Sequence, residues 1–584
     1  MRKASGTAAV ILAAGRSSRT SSFKPLLPLG NRTFVEEAAK HFLEAGVEDV
    51  RVVIGFQSEE ITPVLDRLGV KHIYNEEYDR GMLSSVLAGV RSLESGTRAF
   101  FLLPVDIPLV KPGTIEALLK TYEECESTVI YPSFLGTRGH PPLIHLSCIT
   151  EDLEPDHEGG LRAFLKRYEN CARDVDVVDE GIPLDCDLPE DYAKIKRLYK
   201  RREIPTEREC RAMWAMHGTP RPVNEHSLVV AEAARLLAVH LNLKGCHLDT
   251  DLIVAAGLLH DLARKEPHHA AAGAAALRDL GYRHLAEIVA VHMDIPLQRS
   301  GLGEAELIYL ADKYVDGNRI ISMDERFAVS MERYGGEPEI QEAIRRRWRH
   351  AEIVKNRIEI ILGCSVESVF QRHMAGLKRI AAGQRGKVLY LVRHGLVEMN
   401  GGGRRYIGQL DLSLHEEGIR QAEELRERLK DIPFAAVYCS DLKRSVETAR
   451  IIARDHGLEP LALENLREIN LGRWEVESYM EIRRRYREAY EERGRDILHF
   501  KTPGGESFLE CIQRLIPALY EVLHSDHEAV LMVGHAGVNR IMLCQALGWS
   551  AERLFEIKQD YGCLNIVHFE DLSFRVDVIN GEAV

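Results

Sequence analysis

The chain has 584 residues, 45% hydrophobic and 28% charged, an ordinary globular mixture that excludes a disordered, collagen-like or coiled-coil protein. Its 76 basic and 89 acidic residues give a net charge of −13 with no polybasic tail, so neither nucleic acid nor an anionic membrane surface is the expected partner. At roughly 150 residues per domain the length predicts three or four domains. The apolar run Ala8–Ala14 is much shorter than the about 20 residues a membrane span needs, and reads as a buried strand. Eleven cysteines without a Cys-x-x-Cys pair encode neither a zinc ribbon nor a disulfide framework, and a reducing cytoplasm is the expected compartment.

Residues 1–200 alternate strand-like runs (8–14, 50–56, 98–105 and 128–133) with helical segments, which predicts a mostly parallel α/β domain. A basic helical stretch, Lys194–Arg211, follows, with Pro205 just before a new helical pattern. Residues 205–380 carry apolar residues at helical spacing, as in 229–241 and 251–263, and predict an all-α domain with no convincing strand. A second helical region, 342–387, leads into residues 386–584, where the runs 387–395, 434–440 and 529–537 return to α/β.

In the first domain the opening strand runs directly into Ala14-Gly15-Arg16-Ser17-Ser18-Arg19 and then Lys24. Small residues after a strand let backbone N–H groups close on phosphate oxygens, and Arg19 and Lys24 add charge for a triphosphate. The apolar run Phe100–Leu103 leads to Asp106, a carboxylate at the sheet edge where α/β folds bind ligands. Taken alone it is as readily a helix cap as an Mg²⁺ ligand. Together with Gly81-Met82-Leu83-Ser84-Ser85, Pro104–Leu109 and Arg138-Gly139-His140-Pro141, the pattern resembles the molybdenum-cofactor nucleotidyltransferases, a Rossmann-like fold, across about residues 7–195. Ala13-Ala14-Gly15 points to their cytidylyltransferase branch, although Thr20-Ser21 replace the family's Met-Gly. The resemblance implies that Leu12, Ala13, Ala14 and Gly15 touch base and phosphates, that Arg19 and Lys24 hold the triphosphate, and that Ser84 and Ser85 lie near the nucleoside. It also implies that Asp106, aided by Asp187, binds Mg²⁺. The implied partners are an NTP, CTP by preference, a phosphorylated acceptor such as molybdopterin, and proteins of molybdoenzyme maturation.

In the helical domain His260-Asp261 closes an apolar helix, with His226 and Asp312 on either side in sequence. A lone histidine on an apolar helix is usually core, but burying an adjacent aspartate unpaired is costly. Imidazole and carboxylate together suit Mn²⁺, Fe or Zn²⁺, and a helical bundle can project all four groups inward. This arrangement resembles the HD phosphohydrolases over about residues 212–320. The resemblance implies His226, His260, Asp261 and Asp312 as ligands of a metal that activates water. Lys265 stands where the family's Lys follows the pair, and His268, His269 and His292 are either ligands of a second metal or surface histidines.

In the last domain two strands end in Arg393-His394-Gly395 and Gly534-His535-Ala536-Gly537. Two strand-end histidines can meet over one phosphate, one attacking phosphorus while cations offset the oxygen charge. Arg393 and Arg444 supply the cations, and Glu468 is placed to protonate the leaving oxygen. The constellation resembles the histidine phosphatase superfamily, closest to its α-ribazole phosphate type. The resemblance implies His394 as nucleophile, Arg393, Arg444 and His535 as the phosphate pocket, Glu468 as general acid, and Asn400 as the motif asparagine. Val476 stands where that type has glycine. The expected whole is a multidomain, trifunctional cytoplasmic enzyme that transfers a nucleotidyl group and hydrolyses phosphates at two further sites. The alternatives are corrinoid nucleotide-loop assembly, joining guanylyl transfer to an α-ribazole phosphatase, and a nucleotide-binding regulatory protein with inactive sites.

Overall fold

The computed structural model describes residues 6–16, 23–125, 127–149, 160–296, 301–334, 336–382, 386–399, 405–570 and 572–584. Arg19, Thr20, Ser21 and Asn400 fall outside the described residues. The chain forms two units, residues 1–219 with 262–286, and residues 220–261 with 287–584. Among the described residues no helix is long and apolar enough to cross a membrane.

The sheet of the first unit is ordered Ala172–Asp176, Val129–Phe134, Leu143–His145, Ala99–Pro104, Thr7–Ala13, Asp49–Ile54 and Lys71–Tyr74. Its pairings are parallel except around Leu143–His145 and where Thr137–Arg138, off this path, pairs antiparallel with Val129–Phe134. The first strand is apolar on both faces because both are covered. Ala9, Ile11 and Ala13 enter one core, while Ala8, Val10 and Leu12 enter the other. Register decides the site. Leu12 lies opposite Pro104, and the Val105 N–H donates to the Leu12 carbonyl at 3.0 Å, so Ala14-Gly15 and Asp106 leave the sheet side by side.

In the second unit the sheet is ordered Leu461–Ala462, Ala436–Cys439, Ala529–Gly534, Lys387–Arg393, Leu564–Glu570, Ser573–Ile579 and Glu582–Ala583. The first four strands are parallel, and Arg393 is level with Gly534, which sends His394 and His535 off neighbouring strands at the same height. The same unit holds the helices Arg221–Asn242, Thr250–Leu259, Glu304–Lys313 and Pro338–Leu362. Helix Arg221–Asn242 is buried from His226 to Leu241, all round its circumference, as a central bundle helix must be. Asp249 starts helix Thr250–Leu259 by accepting from the Asp251 and Leu252 amides, each at 3.0 Å. The expectation of a strand-free helical block needs one correction. Val315–Asp316 and Arg319–Ile320 form a short antiparallel hairpin, whose Asp316-Gly317-Asn318 turn is a hairpin signal in its own right.

Two positions carry close packing or strain. A Cβ on Gly257 would lie 2.4 Å from the Ala231 Cα, so the helix carrying His260 rests directly on the backbone of its neighbour. Gly257→Val should therefore destabilise the protein by about 1–3 kcal/mol, seen as a lowered unfolding temperature in calorimetry. Val476 has φ 75°, a left-handed conformation costly for a β-branched residue, held by its N–H to the Tyr406 carbonyl (2.8 Å) and by Arg405 Nη1 to its own carbonyl (2.9 Å). Val476→Gly should relieve that strain and stabilise the protein by about 1 kcal/mol, read by the same measurement.

Three candidate active sites

At the edge of the first sheet a cavity of about 470 Å³ is lined by Leu12, Ala13, Ala14, Gly15, Lys24 and Ser85, with Asp106 and Asp187 among its walls. The Lys24 ammonium lies between the two carboxylates, 3.0 Å from Asp106 Oδ2 and 2.7 Å from Asp187 Oδ1. Burial works against its charge, but the hydrogen bonds it donates to Asp187 and Asp106 outweigh that and raise its proton affinity. Two carboxylates converging on one cation are the donor set a divalent ion takes, so the residues fit the expected Mg²⁺. Ser84 behaves differently from its expected place near the nucleoside. Its hydroxyl donates within the chain to the Gly81 and Glu77 carbonyls, and Ser85 alone of the pair lines the cavity. Buried Asn75 donates to both serine hydroxyls, at 2.9 and 3.0 Å, and was not legible as a site residue. Arg16 reaches across the cavity mouth to Asp79 at 3.0 Å and lies over the Phe56 and Tyr78 rings.

In the helical region His226, His260, Asp261 and Asp312 lie together. His226 Nε2 is 3.1 Å from Asp312 Oδ1, and His260 Nε2 is 3.8 Å from both Asp261 and Asp312. His292 joins them, its Nε2 3.5 Å from Asp261 Oδ1 and its ring 5.1 Å from that of His260. The tautomers are fixed from behind. His226, His260 and His292 each place Nδ1 on a backbone carbonyl, of Gly317 (2.8 Å), Gly257 (2.8 Å) and Val289 (2.7 Å). A carbonyl only accepts, so each Nδ1 carries a proton and Nε2 is the nitrogen turned toward the carboxylates; His226 Nε2 donates to Asp312, which raises the proton affinity of that imidazole against its burial. Buried His260 Nε2 makes no hydrogen bond, which is the state of a ligand atom. His226, His260 and Asp261 offer ligand atoms within 4.8 Å of one another, and this donor set fits a divalent metal. Lys313, missed in the sequence although adjacent to Asp312, holds that carboxylate's other oxygen at 2.6 Å. Lys265 instead donates to the Gly218 carbonyl at 2.6 Å.

At the second sheet the His394 and His535 rings are 5.0 Å apart. His394 Nδ1 lies 2.8 Å from the Gly395 carbonyl, and Arg444 Nε donates to His394 Nε2 at 3.2 Å. A guanidinium cannot accept and a carbonyl cannot donate, so the proton is on Nδ1 and the nucleophilic lone pair on Nε2. Burial, reinforced by Arg444 and Arg393, holds His394 well below the usual imidazole range and therefore neutral. Burial likewise pushes Arg444 down to about 10, the mark of a cation without enough anion around it. Arg393 stacks 3.7 Å above the Tyr561 ring and donates to the Gln559 carbonyl at 2.7 Å. His535 Nε2 meets Ser440 Oγ at 2.6 Å, and its buried Nδ1 has no hydrogen-bond partner, open to a phosphate oxygen. Glu468 is held by the Gly537 and Ile469 amides, each at 3.0 Å, at the start of helix Ala536–Leu547. Tyr561 and Gln559 carry no motif that would mark them, and Ser440 opens the run that leads to Arg444.

Comparison with known proteins agrees with this division. Residues 9–171 match the MobA-like NTP transferase domain, residues 223–315 the HD domain, and residues 389–582 the histidine phosphatase superfamily (branch 1). The adenosylcobalamin/alpha-ribazole phosphatase of Salmonella typhimurium is 30% identical over 199 residues, 34% of this chain and 97% of that protein. The molybdenum cofactor cytidylyltransferase of Escherichia coli is 27% identical over 191 residues, 32% of this chain and 95% of that protein. A crystal structure of the alpha-ribazole phosphatase from Shigella flexneri, 30% identical, is covered to 98% by 34% of this chain, with a TM-score of 0.31. The chain is thus a three-domain enzyme that belongs to the histidine phosphatase superfamily through its last domain and joins it to a MobA-like NTP transferase domain and a helical HD domain.

Proposed function

We propose that the chain is a multifunctional enzyme. Residues 1–200 transfer a nucleotidyl group, by preference cytidylyl from CTP, to a phosphorylated cofactor of the molybdopterin kind. Residues 205–380 hydrolyse a phosphate ester with a divalent metal, and residues 386–584 do so through a phosphohistidine. The observation that carries the transfer reading is Lys24 held between Asp106 and Asp187 on the wall of the 470 Å³ cavity. The likeness to the Escherichia coli molybdenum cofactor cytidylyltransferase supports the choice of nucleotide and acceptor.

In this reading the acceptor phosphate attacks the α-phosphorus and pyrophosphate leaves, a reaction that needs alignment and charge neutralisation rather than a protein nucleophile. Asp106 and Asp187 would hold Mg²⁺, which neutralises triphosphate oxygens when bound. Lys24, Arg19 and the backbone of Ala13–Gly15 hold the phosphates, and Ser85 orients the nucleoside. At the HD site His226, His260, Asp261 and Asp312, with His292, would hold Mn²⁺, Fe or Zn²⁺, which lowers the pKa of a water for attack on phosphorus. At the third site His394 Nε2 forms a bond to phosphorus as the ester oxygen departs with a proton from Glu468. Arg393, Arg444 and His535 balance the oxygen charge, and water then releases phosphate from His394.

A specific observation favours a second reading. The last domain covers nearly the whole of a protein named adenosylcobalamin/alpha-ribazole phosphatase, so corrinoid nucleotide-loop assembly, with GTP as the nucleotide, is the competitor. Pyrophosphate release from each of the four NTPs, with molybdopterin and with a corrinoid phosphate, separates the two. Release with CTP and molybdopterin is expected, and release only with GTP and the corrinoid would replace the first reading by the second. Asp106→Ala should abolish transfer, by at least about 10²-fold, and leave phosphatase turnover intact, whereas His394→Ala should do the reverse. Dialysis against a chelator should silence the HD site and spare hydrolysis at His394. Loss of every activity together would contradict three independent centres.

A further inference from the structure

Glu468, the proposed proton donor of the third site, sits on backbone that no regular element holds. Between the single 3₁₀ turns Glu464–Leu466 and Gly472–Trp474 the chain is irregular, so its polar groups must find partners elsewhere. They find them on helix Phe508–Leu523 and on the turn before it. Arg514 Nη1 donates to the Asn465 carbonyl at 2.8 Å, and Nη2 to the Glu468 carbonyl at 3.1 Å. Glu506 Oε1 accepts from the Asn470 amide at 2.9 Å, and the Glu506 amide donates back to the Asn470 carbonyl at 2.9 Å. The two side chains also pair with each other, Arg514 Nη2 2.6 Å from Glu506 Oε1 and Nε 3.1 Å from Oε2. One bidentate pair therefore grips the chain on both sides of Glu468.

The carboxylate end of Glu468 is fixed as well. A Cβ on Gly537, whose amide holds that carboxylate, would lie 2.4 Å from Glu468 Oε1, so the group rests on bare backbone. Gln409 Nε2 adds a second donor to the Glu468 carbonyl at 2.9 Å, from between Gly408 and Leu410, whose carbonyls anchor Arg444 beside His394. The Arg514 and Glu506 side chains are only 21% and 16% exposed, and burial works against the arginine's charge until Glu506 outweighs it. Removing the guanidinium would orphan two carbonyls and the Glu506 carboxylate together, and the freed loop would carry Glu468 with it. We propose that Arg514, paired with Glu506, is a positioning residue of the phosphatase centre, which sets the Glu468 carboxyl where the leaving oxygen takes up its proton and acts through Glu468 rather than on the phosphate. The role rests on the reading of Glu468 as general acid.

An ester whose leaving group departs as a stable anion gains little from a proton donor, whereas an alkoxide needs one. The ratio of kcat/KM for p-nitrophenyl phosphate to that for benzyl phosphate therefore reads the placement of the acid rather than the integrity of the fold. It is measured on the full chain with a chelator present, which silences the HD site. Arg514→Met should widen that ratio about tenfold or more. Glu506→Gln should widen it less, and Arg514→Lys, whose ammonium lacks the fork that reaches two carbonyls, should fall between wild type and Arg514→Met. A positioning residue adds nothing once its target is gone, so Arg514→Met combined with Glu468→Gln should widen the ratio no further than Glu468→Gln alone. A ratio unmoved by Arg514→Met, or losses that multiply in the double variant, would overturn the role. Where Arg514→Met yields no folded protein, Arg514→Lys and Glu506→Gln carry the same comparison, and a ratio that neither moves overturns it equally. Glu468→Gln keeps the two readings apart. A ratio it leaves unmoved removes Glu468 as general acid and the role built on it, whereas a ratio widened by Glu468→Gln and not by Arg514→Met removes the positioning role alone.

Discussion

An imidazole reacts or ligates through one nitrogen only when the other is held, and this chain holds it the same way at both of its histidine-based sites. His226, His260, His292 and His394 each set Nδ1 on a backbone carbonyl between 2.7 and 2.8 Å away, and each keeps Nε2 for the chemistry. The carbonyls differ in origin. Gly257 lies in the last turn of the helix that His260 closes, Gly317 in the hairpin turn, and Gly395 next to His394 itself. The proposed metal site and the proposed nucleophile thus depend on one backbone device, and whatever shifts those carbonyls shifts the proposed chemistry.

Charge is arranged with similar economy. At the first site one ammonium faces two carboxylates, a balance that a metal ion and a triphosphate can redistribute without exposing an unpaired group to low dielectric. At the HD centre Lys313 takes one oxygen of Asp312 and leaves the other toward His226. At the phosphatase centre the balance is cationic, and burial together with two adjacent guanidinium groups keeps His394 neutral. That combination, a neutral imidazole among cations, is what the proposed attack on a phosphate dianion requires.

Much of this was legible in the sequence. Strand-end motifs gave Arg393, His394 and His535 because parallel strands of equal height bring their carboxyl ends together, and the pairing of Arg393 with Gly534 does so here. The His-Asp pair stood out because a buried aspartate demands a partner. What stayed hidden has a common physical reason. Asn75, Gln559 and Tyr561 bond to or stack on other site groups from segments distant in the chain, where no periodicity or spacing marks a role. Ser84 was read from its motif position, but its hydroxyl is spent on the Gly81 and Glu77 carbonyls. The hairpin at Val315–Ile320 is masked in the sequence by the apolar helical period on either side, although its turn supplies the carbonyl that orients His226.

The most direct test is to trap the phosphorylated enzyme. Rapid alkaline quenching after mixing with a labelled phosphate monoester, followed by peptide mass spectrometry and ³¹P NMR, locates the phosphoryl group and the nitrogen that bears it. With Nδ1 pinned to the Gly395 carbonyl, the account predicts phosphorylation of His394 at Nε2 and no phosphoenzyme in His394→Ala. Phosphorylation at Nδ1, label on His535, or turnover in His394→Ala at the wild-type rate would contradict it.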